Sequence, residues 1–189
     1  MRVIDIEAKK REDVGTKYAK LARKEGNIPA IVYGGEENLH IEIPYNSVKD
    51  LVYSARLGKA NIKVDGKEVS ALVKDIDFHP VSENILHMDF IQLTEGKQVK
   101  AEIPVRVDGT SVGAKLGGKQ LVKMRKVKAV AVPEKLIEEI VIDATPLEIG
   151  QSIRVRDLNY DGIEFTDSPA NPIFSVVMAR GAKKAETAE

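Results

Sequence analysis

Apolar positions recur at a spacing of two along most of this chain, and at three to four in only two places. Val3, Ile4, Ile6 and Ala8 mark a first strand over 2–9. A helix follows over 15–25 (GTKYAKLARKE), with Thr16 suited to cap its start and Gly26 to end it. Tyr18, Leu21 and Ala22 give that helix an apolar stripe, with Lys17, Lys20 and Lys24 expected on another face. Ile28–Gly34 and Leu39–Pro44 read as strands. Ser47–Leu57 reads as a second helix, capped by Ser47 with Asp50 three residues on, burying Val48, Leu51, Val52 and Ala55. Residues 60–64 and 67–74 flank Asp65-Gly66, a strong two-residue hairpin turn. The next stretch, ALVKDIDFHPVSENILHMDFIQL, reads as strands 71–79 and 85–93 around a turn containing Pro80 and Asn84. Six strands and two short helices over 1–93 suit a small barrel.

The pattern changes at Glu95-Gly96. Strands are expected at 99–107, 120–132 (with a bulge near Arg125-Lys126), 138–144, 152–158, 163–167 and 173–179. A glycine-rich loop covers 110–118, and no clear helix is expected. The last residues, GAKKAETAE, have the composition of a disordered tail. The expected fold class is mainly β (α+β): a six-stranded barrel domain over 1–94, a β-rich domain over 95–180, and a tail over 181–189.

Charge changes this picture locally rather than globally. Formal net charge is zero over 189 residues, yet residues 9–24 carry seven basic side chains against two acidic ones. Residues 97–128 carry nine against two, and residues 134–167 reverse the balance with three against nine. A lysine-rich helix is ordinarily a solvated face; here the acids that usually partner such lysines are nearly absent, which favours phosphate as the partner. The chain has no cysteine, so disulfides and thiolate metal sites are excluded and a reducing compartment is expected. No apolar run reaches the length of a signal peptide core or a membrane span, so a cytoplasmic protein without membrane contact is expected.

Candidate chemistry is sparse. Gly113 to Lys119 matches the first seven positions of a phosphate-binding loop, but Gln120 stands where Ser or Thr should hold magnesium. The alternating QLVKMRKVKAVAV follows where a helix is required, so a phosphate-loop nucleotidase is a minor alternative. Three scattered histidines (His40, His79, His87) have no zinc spacing, and no nucleophile accompanies His87 and Asp89. No enzyme activity, cofactor, metal or small-molecule substrate is expected. His87 and Asp89, two apart on a strand, share one face. Either they satisfy each other on a solvated wall, or something polar docks on them.

Several stretches in order carry a resemblance. EAKKRE with Gly15, ARKEGNIPAIVYGG, VDGKEVSALVKDIDFHP and LHMDF are similar to the bacterial large-subunit ribosomal protein twenty-five family, also called the Ctc or general stress protein family. IPVRVDGT, VGAKLGGK, PLEIGQSIRVRDL and NPIFSVV resemble the second domain of its long form. The resemblance implies a structural component of the large ribosomal subunit that binds 5S ribosomal RNA near its loop E, in the central protuberance, beside other large-subunit components. A stress-induced, transiently ribosome-associated module is the alternative within this reading. It implies RNA contacts at Arg11, Lys20, Arg23, Tyr33, His87 and Asp89. With the basic and polar neighbours added, the candidate RNA-binding set is Lys10, Arg11, Lys17, Lys20, Arg23, Lys24, Tyr33, Lys74, His79, His87 and Asp89. Leu21 stands where the family usually carries a basic residue.

Overall fold

The computed structural model describes residues 1–35 and 37–178; the expected tail and the last residues of the second domain lie outside that range. The first half is built from β1 (Val3–Lys10), α1 (Thr16–Lys24), β2 (Asn27–Tyr33), β3 (Leu39–Pro44), α2 (Tyr45–Val52), β4 (Lys59–Val64), β5 (Lys67–Phe78) and β6 (Ile85–Gln92). The six strands close into a barrel in the order β1-β3-β2-β6-β5-β4, with β4 completing the circle against β1 in parallel. Closure leaves no unpaired sheet edge. Alternate residues point inward, so Ile6, Ala30, Val32, Ile41, Ile43, Ile62, Met88 and Phe90 fill the interior at 1% exposure or less. Asp65 and Gly66 both take positive φ (48° and 81°), the geometry of the expected hairpin turn.

Both helices depart from expectation. The N-cap of α1 is Gly15 at φ 128°, and Thr16 makes no capping hydrogen bond. Of the apolar stripe only Ala22 is buried; Tyr18 and Leu21 are 44% and 53% exposed. Residues 17, 20, 21 and 24 lie three and four apart, so the lysines share their face with Leu21 rather than opposing it. Helix α2 starts after Pro44 and ends at Val52; Ser47 is inside it, no side chain caps it, and Ala55 is exposed beyond its end. Beyond the helix the chain runs to the second domain, where Leu57 donates its amide to the Glu138 carbonyl (2.8 Å).

The second domain contains β7 (Val99–Asp108), α3 (Val112–Lys115), β8 (Gly118–Val122), β9 (Lys126–Ala131), β10 (Ile140–Asp143), β11 (Ser152–Arg154), a 3-10 turn at Val155–Asp157, β12 (Ile163–Phe165) and β13 (Pro172–Met178). These form two sheets, β10-β7-β9-β12 and β11-β13-β8. The strand expected over 120–132 is therefore two strands in different sheets, not one strand with a bulge. The glycine-rich stretch is not free loop either. Ser111, fully buried, caps the single turn α3 by accepting from the Ala114 amide (3.1 Å) and also accepts from Gln120 (3.1 Å). A Cβ on Gly113 would fall 2.7 Å from the Ile149 amide nitrogen, so that glycine serves close backbone packing. Lys119 lies on β8, so the phosphate-loop reading has no helix to support it.

The two halves meet across an apolar seam. Leu72 and the partly buried Leu57, Ile91 and Leu93 from the first half pack with Val99, Ala101, Ala131 and Leu136 from the second. At its edge Glu139 receives two arginines: Arg56 Nε at 3.6 Å and Arg106 Nη1 at 3.2 Å.

Candidate nucleic-acid interface

The wall made by β2, β6 and β5 carries most of the polar candidates, and the strand register explains why. Met88 and Phe90 occupy the barrel interior, which places His87, Asp89 and Ile91 outside. Asp89 lies beside Ile31 on β2 and opposite Asp75 on β5, and His87 lies opposite Asp77. The aspartates reach this wall through an irregularity between Val73 and Asp75. Leu72 and Ile91 are partners on the outer surface; without an extra residue at Lys74, outward positions on β5 would fall on Lys74 and Ile76. The bulge instead turns Ile76 toward the core and Asp75 and Asp77 outward.

His87 Nδ1 lies 2.8 Å from Asp89 Oδ1, each side chain about a third exposed. The two partner each other as a solvated pair would, yet keep open surface for a ligand. Tyr33, at the exit of β2, is half-buried. Burial first, then the negative charges of Asp89 and Asp75, raise its phenol above the ordinary value of 10.0. Its hydroxyl is therefore a hydrogen-bond donor at neutral pH. The wall thus offers carboxylate acceptors, an imidazole and a phenol donor, but no surplus of cations.

The cations come from α1, which packs against β2. Lys17, Lys20 and Lys24 are exposed on it, and with Tyr18 and Leu21 they line a shallow hollow of 290 Å³. Arg23 ties the helix to the wall by donating from Nε to the Leu86 carbonyl (2.9 Å), one residue before His87. The structure therefore brings Lys17, Lys20, Arg23, Lys24, Tyr33, His87 and Asp89 onto neighbouring surfaces. His79 sits in the turn between β5 and β6, and its Nδ1 accepts from the Val81 and Ser82 amides (3.3 and 3.1 Å). The positive φ of that turn falls on Glu83, not on Asn84.

Three candidates stand apart. Arg11 is held by its own protein: its side chain is 9% exposed, with Nε 3.2 Å from Glu42. Lys10 is exposed at the end of β1, beside Ile41 of β3. Lys74, at the bulge, lines the 630 Å³ cleft toward the second domain together with Arg56, Arg125 and Lys126. Tyr18 and Leu21 are surface residues that helical periodicity assigned to the core. Their signal was the helix's composition: four of its nine residues are basic, too many for an apolar face that is simply buried. No cluster of three potential metal ligands occurs among the described residues, and no helix among them is long and apolar enough to cross a membrane.

Comparison with known proteins agrees with this architecture. Residues 6–90 match the family model described as the Ribosomal L25p family, and residues 98–180 match that of the Ribosomal protein TL5, C-terminal domain. The boundary between the two matches falls beside the seam. Among curated proteins, the chain is 34% identical to the large ribosomal subunit protein bL25 of Phocaeicola vulgatus, over 98% of this chain and 97% of that protein. It is 36% identical to that of Bacteroides fragilis over 89% and 86%, and 32% identical to that of Cytophaga hutchinsonii over 100% and 98%. These relatives are named as ribosomal proteins, not as enzymes. With both halves matched and the order of strands accounted for, the chain belongs to the bL25 family of large ribosomal subunit proteins, in its two-domain form.

Proposed function

We propose that this chain binds 5S ribosomal RNA, at loop E and the neighbouring helix, in the central protuberance of the large subunit in the cytoplasm. The carrying observation is the juxtaposition on the barrel. A helix with exposed, acid-free lysines is bonded through Arg23 to a wall that presents Tyr33, His87 and Asp89. Lysines on α1 neutralise phosphates and set position. The wall supplies hydrogen-bonding groups for base edges and 2′-hydroxyls, which the wide minor groove of RNA exposes. A carboxylate is repelled by phosphate, so Asp89 acts by accepting from a base amine or a ribose hydroxyl. Lys10, Lys74 and His79 complete the contact set at its margins, and Arg11 orients the β1–β3 end through Glu42. In this reading residues 1–94 are the RNA-binding domain and residues 95–180 a second domain that faces other large-subunit components. The test is a gel-shift of the full chain with 5S RNA against transfer RNA at two salt concentrations. Preference for 5S RNA that survives the higher salt supports the reading; equal affinity for both RNAs removes it.

A further inference from the structure

We propose that the free edge of β8 is a docking strand for an extended acidic segment of a protein partner, which adds to the sheet beside Gln120 and Val122. The two sheets of the second domain end in four edge strands, β10, β12, β11 and β8. Proteins guard such edges by keeping them short or by breaking them with proline and bulges. β11 and β12 have three residues each and β10 four, whereas β8 has five, with no proline and no break in its register against β13. The direction of its main-chain groups follows from its neighbour. Val176 of β13 turns away from β8: its carbonyl accepts from the Gly150 amide (2.7 Å) and its amide donates to the Gln151 carbonyl (3.0 Å). Ser175 and Val177 therefore face β8, opposite their register partners Leu121 and Lys119. Gln120 and Val122 alternate with those two, so their amides and carbonyls aim at the open edge. Among the described residues no group outside the ladder bonds the main chain of either.

The side chains say what fits there. Val122 is 47% exposed and lines the 630 Å³ cleft with Val105 and Val107. Alternation puts Lys119 and Lys123 on the opposite face, both exposed. Neither lysine, nor Arg125 at the cleft, forms an ion pair among the described residues. Of the acids in the cleft, Glu102 already faces Lys126 (3.9 Å) and Asp75 belongs to the barrel wall. One face of β8 thus suits apolar side chains and the other carboxylates. A strand laid along the edge satisfies both when acidic and apolar residues alternate in it. The same edge disfavours RNA. Phosphate could meet the lysines, but the Gln120 and Val122 carbonyls repel it, whereas a peptide amide satisfies them. The strand lies in the second domain, apart from the α1 lysines, so the inference stands whether or not the barrel binds 5S RNA.

The probe is a short end-blocked peptide alternating glutamate and valine, added to the full chain labelled with nitrogen-15, with amide hydrogen exchange followed by NMR. In the free chain Gln120 and Val122 should exchange faster than Lys119 and Leu121; the peptide should slow exchange at Gln120 and Val122. Two N-methylated peptides, blocked at the valines or at the glutamates, separate strand pairing from charge. Only one alternate set of amides faces β8, so one of the two should lose binding and the other keep it. Lys119→Glu with Lys123→Glu should weaken the peptide about tenfold. Val122→Pro removes an amide that the sheet does not use and should abolish protection of Gln120, while 5S RNA binding stays as in the wild type. Absence of protection at saturating peptide, or binding that survives both N-methylations, overturns the proposal. Protection by 5S RNA and not by the peptide overturns it in favour of a nucleic-acid face. Protection that rises with protein concentration alone, without peptide, overturns it in favour of a second copy of this chain.

Discussion

One wall of the barrel shows two faces along the same pair of strands. At the Leu72–Ile91 pair the outer surface of β5 and β6 is apolar and covered by the second domain. A few residues further along, at Asp75–Asp89 and Asp77–His87, it is polar and open. The barrel interior behind both faces is continuous. Lys74 stays unpaired in a bulge, so Asp75 and Asp77 take the outward positions and Ile76 the inward one. The bulge at Lys74 lets an apolar seam and an acidic wall follow each other without turning the strand's core face outward. Stability is thus concentrated at one end of the wall and, in the proposed function, recognition at the other, so substitutions at the two ends should have different signatures.

The largest effect is expected from Ile76→Asp. With Lys74 unpaired in the bulge, residue 76 turns toward the barrel core, so the variant carries a carboxylate into it. Burying even one unpaired carboxylate costs several kcal/mol, an amount of the order of a whole domain's stability. The variant should lose its cooperative unfolding transition by circular dichroism. Lys74→Ala, at the unpaired position, should change stability by no more than about 0.5 kcal/mol. Equal melting temperatures for Ile76→Asp and the wild type would show that the bulge does not turn residue 76 inward.

Next comes the seam. Leu72 is 1% exposed, and Leu72→Ala should cost about 2–5 kcal/mol while leaving RNA affinity per folded molecule unchanged. The fragment 1–94 is the sharper version. It uncovers Leu57, Leu72, Ile91 and Leu93 together, so it should melt lower than the full chain, yet bind 5S RNA within about tenfold, or 1.4 kcal/mol. A folded fragment with weaker binding than that would assign RNA contact to the second domain.

The limits of what the sequence told follow the same division. Period-two alternation and Asp65-Gly66 sufficed for the barrel, because each strand has one face in a common core. They failed where the deciding event is non-local. The run 118–131 alternates almost throughout, yet the chain changes sheets around Lys123–Arg125, and nothing in the alternation records that. Helix α2 ends at Val52, short of the expected Leu57, and Leu57 instead bonds Glu138, some eighty positions away, a partner no local pattern records. The bulge left a trace, since Leu72, Val73, Ile76 and Phe78 do not keep one phase, but the trace alone does not say which residue is extra. Of the site, the lysines of α1 and the His87–Asp89 spacing were legible as patterns. The cover over Arg11 and the exposure of Tyr18 and Leu21 depend on what packs nearby, and so were not.

At the open end of the wall the expected effects are smaller and concern specificity. Lys20→Ala should weaken binding to 5S RNA and transfer RNA alike and lower the salt slope by about 0.7–0.9. Asp89→Ala should slightly improve binding to transfer RNA and reduce 5S affinity by about 1–3 kcal/mol, with the salt slope unchanged. Both positions are solvated, so neither variant should shift the melting temperature appreciably. Tighter 5S binding by Asp89→Ala would remove the wall as the reading surface.

The smallest effect tests the electrostatics of that wall directly. Tyr33's phenol is raised by burial first, by Asp89 second and by Asp75 third. A group whose folded value is raised binds its proton more tightly in the native state. Its contribution to stability is therefore fully present below the unfolded value of 10.0 and is lost as pH rises through the folded one. Tyr33 should then leave both stability and RNA binding flat from neutrality up to that point. The ring can be followed against the other four tyrosines by NMR with carbon-13 labelling. Asp89→Asn should move its midpoint down, Asp75→Asn should move it less, and the double variant should still titrate above 10.0, because burial remains. A double variant that titrates at 10.0 would mean that the two carboxylates, not the covering of the ring, set the character of this wall.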